Sequence, residues 1–455
     1  SGRSLDLGDF VSVSTKATLG GDGVWLLDPE NLLIKDSSWS GSNYSTSGTT
    51  TYTALTPNTT APILVTDAYT TDTRGSSYAN GTSVVRTDTI ISALSSGNVR
   101  IVASGWITYS GWEGRPVNPS GAYINSTSAN KLTLQAGESI GINYAKIYLP
   151  NGTLELLAGT TISQLSTAPI YANTLILGSS DGGTSKPAVT LTAATNYITN
   201  LQASNINTLS LTNGQGMTVN TNGITATGQV TLNVGAYDIN LNGAFNVAAP
   251  ILVYGANIYV NNGANLTTTV AGNGILLKAT NDVVIGAGSA IALQTNNGNI
   301  TLWSDSDGNS AGNIRVREGV TFNSANGLTN QAIGGGAITL AGGSSADANG
   351  LPTGYAYSAS SNTSAWGSNA PSGVQLGAFT AGTGSGYANN IKFYSGGGNV
   401  LIKGKAATAW PCGWASTPST PGTGSSPSGP TSTAPAAPPG SSSSGRSRRA
   451  RRRWA

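Results

Sequence analysis

Residues able to do chemistry are scarce in this chain, and the absences are the first constraint. There is no His and a single Cys, Cys412, among 455 residues. A Ser-His-Asp triad, a Cys-His pair and a His-ligated zinc site are therefore excluded. One Cys cannot form an internal disulfide or a multi-Cys metal site. Carboxylates with Arg or Lys remain. The densest group is Asp305-Ser-Asp307-Gly-Asn309, followed by Arg315, Arg317 and Glu318. An Asp-x-Asp-Gly-Asn stretch sets oxygen donors at a calcium-like spacing, but loop position twelve is Val316, where an EF-hand needs Glu. Asp, Gly and Asn are also turn residues, and a turn between strands is the reading adopted, ahead of calcium and of catalysis.

Other candidates are blander. Asp22, Asp28, Glu30, Lys35 and Asp36 read as solvated charge around a strand end and an Asp28-Pro29 turn. Asp67, Asp72, Arg74, Arg86 and Asp88 read the same way. Trp106, Tyr109 and Trp112, near Arg115, invite a sugar-stacking reading, although packing or capping is preferred for Trp106. No catalytic, cofactor-binding or metal-ligating residue is assigned. No cofactor is expected, and the chain is not expected to be an enzyme.

The net charge of +3 conceals an uneven distribution. Six of the 22 basic residues are Arg446, Arg448, Arg449, Arg451, Arg452 and Arg453, whereas the last acid is Asp347. Residues 1–445 thus carry 16 basic and 19 acidic side chains, a balance of −3. Nucleic-acid binding depends on clustered Lys and Arg, so the body of the chain is not expected to bind nucleic acid. No apolar run approaches the length of a membrane-spanning helix. No N-terminal signal peptide is visible, so one is expected to be removed or to lie upstream.

The elements that position these residues follow from composition and spacing. Only 9% of residues are charged, against roughly 25% in ordinary soluble domains. Gly, Asn, Thr and Ser dominate, and all are poor helix formers. Short apolar runs begin at Leu132, Leu154, Leu175, Val189, Leu209, Val230, Ile251, Ile275 and Ile300. Most of these positions follow one another at a near-constant interval, with one short step from Leu175 to Val189. Midway between most of them comes a second apolar pair, such as Ile239/Leu241 or Ile258/Val260. A repeat of about 21 residues, with two or three short strands and Gly or Asn between them, predicts an all-β fold, a β-solenoid. Each strand would pair with its equivalents one coil above and below, about 4.8 Å away. Around a dozen coils would make a rod roughly 60 Å long.

This divides the chain into four parts. Residues 1–125 read as a less regular β region leading into the solenoid, with a loop or excursion at 37–62. Residues 126–343 read as regular coils. Residues 344–409 read as an excursion (344–371), then final coils resuming at Gly373. Residues 410–455, Pro/Ser/Gly-rich with an Arg-rich end, read as disordered, since Pro cannot donate to a ladder. That tail is either a linker stalk with a basic anchor or a non-native end.

Particular segments resemble a known family. Gly23-Val-Trp-Leu-Leu-Asp-Pro-Glu-Asn-Leu-Leu-Ile34 looks like the WL(I/L)DPxNxTI segment of bacterial filamentous-haemagglutinin-type exoproteins. Asp88-Thr-Ile-Ile-Ser-Ala-Leu-Ser-Ser-Gly-Asn-Val-Arg-Ile101 resembles the segment that follows it. Ile300–Asp307, Gly335–Gly343 and Gly397–Lys405 resemble later coils, so the similarity runs in order over roughly residues 20–406. The resemblance implies a right-handed parallel β-helix and a secreted or surface-displayed adhesin of a Gram-negative bacterium, associated with the outer membrane. It further implies two-partner export through an outer-membrane transporter, glycans or receptors of host or bacterial cells as partners, and a role in virulence. The family's secretion domain with its Asn-Pro-Asn motifs is not evident, and Asn118-Pro-Ser-Gly121 reads as a turn. Beginning at Ser1 without Met, the chain reads as an internal piece of a longer gene.

Three functions are compared. A structural adhesion rod, monomeric and not membrane-spanning, is preferred. A carbohydrate-active β-helix enzyme, a polysaccharide lyase or hydrolase, would need acids or an Arg/Lys pair converging in one groove. An ice- or surface-binding solenoid would need a flat face of repeated Thr-x-Thr, and it ranks last because such pairs do not recur in strict register along the sequence.

Overall fold

The computed structural model describes residues 31–35, 82–95, 97–110, 123–286, 291–328, 333–358, 373–377 and 391–406. The chain divides into two units, Ser1–Ala409 and Trp410–Ala455. The second unit, which holds Cys412 and the terminal arginines, lies outside the described residues.

The first unit is a parallel β-solenoid with three faces. One coil illustrates the path. Val230–Asn233 lies on the first face, Ile239–Leu241 on the second and Phe245–Val247 on the third, and the chain then returns to the first face at Ile251–Gly255. Each strand pairs in parallel with its counterpart in the next coil, as Val230 does with Ile251, Ile239 with Ile258 and Phe245 with Leu266. In earlier coils the second and third faces are spanned by single long strands: Lys146–Ala158, Ile170–Ser179, Tyr197–Ile206 and Met217–Ala226.

Alternation decides which side chains enter the core. On the first face the inward column runs Leu32, Ile107, Ile140, Ile162, Val189, Leu209, Val230, Ile251, Ile275, Ile300 and Ile338. Every one of these is buried. Each such burial is worth roughly 1.5–3 kcal/mol. On the third face the column Ile224, Phe245, Leu266, Leu293, Phe322 is equally buried and ends on Phe393, whose ring stacks on Phe322 at 4.9 Å.

Register also explains the irregular step in the sequence repeat. Leu132, Leu154 and Leu175 stack in one column of the sheet that carries the second and third faces, whereas Val189 and its successors stack on the first. The short step from Leu175 to Val189 is therefore a change of face within one coil. On the first face the neighbour of Ile162 is Val189, a wider interval than the one before or after it, because the turn after Ser179 is enlarged. There the Asp181 carboxylate accepts from the Ser179 hydroxyl and from the N–H groups of Gly183 and Ser185. These bonds hold its pKa well below the usual carboxylate range.

The coils begin early. Asn31–Lys35 pairs with both Thr82–Arg86 and Ile107–Ser110, and Val99–Ala103 pairs with Lys131–Ala136. Between Thr82–Arg86 and Val99–Ala103 stands an α-helix, Thr87–Leu94, where poor helix formers had pointed to strands and turns. Its Ile90, Ala93 and Leu94 are buried in the common core, and it packs near Tyr123–Asn125 of the second face. A helix there covers the core without offering an unpaired strand edge.

At the other end, Ile338–Ala346 runs beyond the first face and pairs antiparallel with Pro352–Gly354. The linking turn is held by the Asp347 carboxylate, which accepts from the N–H groups of Asn349 and Leu351 at 2.9 Å each. Coiling resumes at Val374–Leu376, paired with Ile314–Val316. The excursion expected at 37–62 lies outside the described residues, as do 359–372.

Polar groups reach the core only with partners. Gln164 sits in the inward position of its coil, next to Ile142 of the coil before. It exchanges bonds with buried Asn196: Gln164 Nε2 donates to Asn196 Oδ1 (2.7 Å) and Asn196 Nδ2 donates to Gln164 Oε1 (3.0 Å). Asn196 Oδ1 also accepts from the Ile170 N–H, and its Nδ2 also donates to the carbonyls of Leu191 and Thr212.

Urea unfolding of point variants tests this architecture. Leu211→Ala, at a fully buried first-face position, should cost about 3 kcal/mol. Asn196→Ala should cost about as much, because it orphans several buried groups. Gly223 has φ +67°, and a Cβ there would run into the Ala244 carbonyl, so Gly223→Ala should cost roughly 1–3 kcal/mol. Outward-facing Thr190→Val should stay within about 0.5 kcal/mol.

Candidate functional site

The Asp305 segment is a corner between the first and second faces. Ile300–Ser304 ends the first-face strand and Ile314–Val316 begins the second-face strand. Asp305 has φ +49°, Gly308 φ +74° and Ser310 φ +65°, so the chain folds back on itself. The Asp305 carboxylate turns inward and is 1% exposed. Its Oδ1 accepts from the Ala311 N–H at 3.3 Å, while Oδ2 is buried without a hydrogen-bond partner. Burial raises the Asp305 pKa above its ordinary value, opposed by backbone donors at Ala311, Ser310 and Asn309. Asp307 is exposed and paired with the Asn309 amide at 2.8 Å. The loop is thus organised around Asp305, as a turn residue would require.

One position before each second-face strand runs a ladder of Asp and Asn. Asn257 Nδ2 donates to Asp238 Oδ1 (2.7 Å), the Asp282 N–H to Asn257 Oδ1 (3.1 Å), and the Asn313 N–H to Asp282 Oδ1 (2.9 Å). In the next coil the position is Gly373, and the buried Asn313 Oδ1 is left without a hydrogen-bond partner. Arg315 points outward on the second face, in the column of Tyr259 and Val284. Burial, then the charges of Asp238 and Asp282, raise the Tyr259 pKa, and Arg315 opposes them. Arg317 and Glu318 follow the strand half-buried; burial lowers the Arg317 pKa and Glu318 opposes. Among the described residues no three Asp, Glu, His or Cys side chains gather closely enough to share a metal ion.

The aromatic candidates separate. Tyr109 is fully buried; its hydroxyl accepts from the Ile124 N–H (3.0 Å) and donates to the Lys146 carbonyl (3.2 Å). A sugar cannot stack on it, which corrects the platform reading for that residue. Trp106 is half-buried beside the Asn31–Lys35 strand, where its N–H donates to Asn31 Oδ1. Trp112, Arg115, the Asp22–Asp36 charges other than Lys35, and Asp67, Asp72 and Arg74 lie outside the described residues. Lys35, Arg86 and Asp88 are placed only by backbone, in the first strands and the helix.

The structure gathers a surface that sequence reasoning missed. Tyr148, Tyr171 and Tyr197 are consecutive outward residues of the second face. Tyr148 and Tyr171 have ring centroids 5.2 Å apart, tilted by 50°; Tyr171 and Tyr197 stack at 4.8 Å with 6° between planes. Tyr148 and Tyr197 are 36% and 38% exposed. Gln215 and Tyr237 stand two residues before the paired Met217 and Ile239 of the next two coils. Tyr171 and Tyr197 cover each other's ring faces, and Tyr148 is tilted against Tyr171. The only signal in the sequence is that each tyrosine precedes an apolar second-face residue, and this is readable only once the faces are assigned.

The first face adds a column of hydroxyls. Ser163, Thr190, Ser210 and Thr231 are neighbours through successive coils, flanked by Thr161, Thr208 and Thr212. Counted from face to face these single hydroxyls fall into register, but Thr-x-Thr pairs do not recur, because Ala188 and Gln229 stand two positions before Thr190 and Thr231. Beyond Thr231 the column turns apolar at Leu252 and Leu276.

No family model, no curated protein and no solved structure matches this chain.

Asp305 gives a pH-dependent expectation. Its folded pKa lies above the unfolded value, so the native state is favoured while the carboxyl is protonated and loses that advantage as pH rises through the folded pKa. Asp305→Asn should therefore gain in urea midpoint relative to the parent on going from about pH 4 to about pH 7. An equal difference at both values would show that no buried charge is involved.

Proposed function

We propose that this chain is a segment of a secreted or surface-displayed adhesin-type exoprotein, a structural solenoid whose outward ladders contact glycans or receptors on host or bacterial cells. In this reading it works without turnover, reaches the cell surface through an outer-membrane transporter and acts as a monomer. The observation that carries the reading is the tyrosine column. Tyr148, Tyr171 and Tyr197 recur coil after coil on an exposed face. Amphipathic tyrosines supply large contact area at low conformational-entropy cost, and their hydroxyls suit the dense hydroxyls of saccharides. The neighbouring Ser/Thr column offers a second uncharged, hydrogen-bonding face. No helix among the described residues is long and apolar enough to cross a membrane.

The full chain should bind a subset of glycans on an array and bind cells that carry them. Replacing Tyr148, Tyr171 and Tyr197 together by Ala should weaken that binding at least about tenfold while circular dichroism stays β-rich, as expected when contact aromatics dominate affinity. Release of unsaturated or reducing sugars from acidic polysaccharides by the chain would instead establish a carbohydrate-active enzyme and overturn the reading.

A further inference from the structure

The tyrosine column has a chemical consequence independent of what the surface binds. We propose that Tyr171 and Tyr197 form an oxidative cross-linking site, at which a haem peroxidase and hydrogen peroxide join successive coils through a dityrosine bond.

Three observations carry the inference. The rings are already in contact, with centroids 4.8 Å apart and planes within 6°. That contact is fixed by the backbone, since Tyr171 and Tyr197 are register partners and the adjacent Ile170, Ala172 and Ile198 are buried anchors. The pair is also reachable, because Tyr197 is 38% exposed and Tyr171 half-buried. Tyr148, tilted against the other side of Tyr171 with centroids 5.2 Å apart, extends the array, so a radical formed at any of the three can pass to the pair. The other strongly exposed tyrosines, Tyr144, Tyr237 and Tyr355, have no ring contact with a second tyrosine among the described residues.

The chemistry balances. Each phenol loses one electron and one proton and becomes a phenoxyl radical, with spin density on the ring carbons ortho to oxygen. Two ortho carbons form one C–C bond, and each then gives up its hydrogen to the ring oxygen, restoring two phenols. One hydrogen peroxide, reduced to two waters through the peroxidase haem, takes up the two electrons and two protons. Coupling of two radicals is normally limited by their encounter. Here proximity makes it intramolecular, and rotation about the Cβ–ring bonds brings the ortho carbons together. The product is a covalent staple between two coils.

The test uses the full chain, dilute, with a plant haem peroxidase and hydrogen peroxide. Dityrosine fluorescence should appear in the monomer. Cleavage after acidic residues separates Tyr171 (residues 156–181) from Tyr197 (residues 182–238), so the two peptides should be recovered joined and two hydrogens lighter. Tyr197→Phe, which keeps the ring and removes the phenol, should lower the monomer yield at least about tenfold, as loss of a preoriented partner requires. Tyr237→Phe, in the same peptide, should leave it unchanged. The proposal is overturned if Tyr197→Phe leaves the yield intact, if the bond maps to other tyrosines, or if it forms only between molecules. Glycan binding plays no part in the assay, so its outcome and that of the adhesion test are distinguishable.

Discussion

Parallel, in-register pairing between successive coils sets nearly everything else in this molecule. Each strand hydrogen-bonds to the strand about 4.8 Å above and below it, so whatever stands at one position meets its counterpart in the next coil. For aliphatic side chains this repetition is favourable on the inside. Ile140, Ile162, Val189, Leu209 and Val230 form one continuous stack with no gap between coils. Charge would be repelled by its own copy, which accounts for a composition of 9% charged residues. Where charges do occur in adjacent coils, the described pair is of opposite sign, Lys131 with Glu155 at 3.0 Å.

The corners carry the polar work. A strand face satisfies its own backbone, but each turn leaves N–H and C=O groups that need partners when buried. Asn and Asp side chains meet this need because they reach one coil further. The Asp238, Asn257, Asp282, Asn313 ladder passes hydrogen bonds across four coils, and Asn213 closes on Ile198. Gln164 and Asn196 do the same deeper inside, sharing two bonds with each other. Where the next coil changes, the ladder stops, and buried acceptors at Asn313 and Asp305 remain open. These two mark the corner at which the regular coils give way to the longer excursion of Ile338–Ala346.

The outer surface follows from the same geometry. Residues too far apart in sequence to suggest a cluster, such as Tyr148, Tyr171 and Tyr197, become ring-on-ring neighbours because each occupies one register position. The hydroxyls of Ser163, Thr190, Ser210 and Thr231 line up for the same reason. A solenoid therefore converts a weak, noisy repeat into ordered ladders. The tyrosine stack joins the two proposals made of it: the proposed adhesion would use its hydroxyls, and the proposed oxidation the closeness of its rings.

Much of the fold was legible in the amino-acid sequence. Short aliphatic runs at a near-constant spacing, Gly and Asn between them and the scarcity of charge pointed to stacked β coils, because a repeat of about 21 residues with two or three short strands matches one turn of a solenoid. The turn reading of Asp305–Asn309 also rested on residue type alone. Other features depended on the third dimension. The short step from Leu175 to Val189 could not be recognised as a change of face until the two were seen on different sheets. Thr87–Leu94 forms a helix although its local composition argues weakly for one, because the end of the core supplies an apolar surface for Ile90, Ala93 and Leu94. Tyr109, which beside the tryptophans invited a sugar-stacking reading, is drawn inside by alternation on its strand. Spacing and residue type determine that the chain must coil, since hydrophobic burial depends on pattern; which side chains become neighbours was decided only by tertiary structure, since register couples side chains that lie a whole coil apart along the chain.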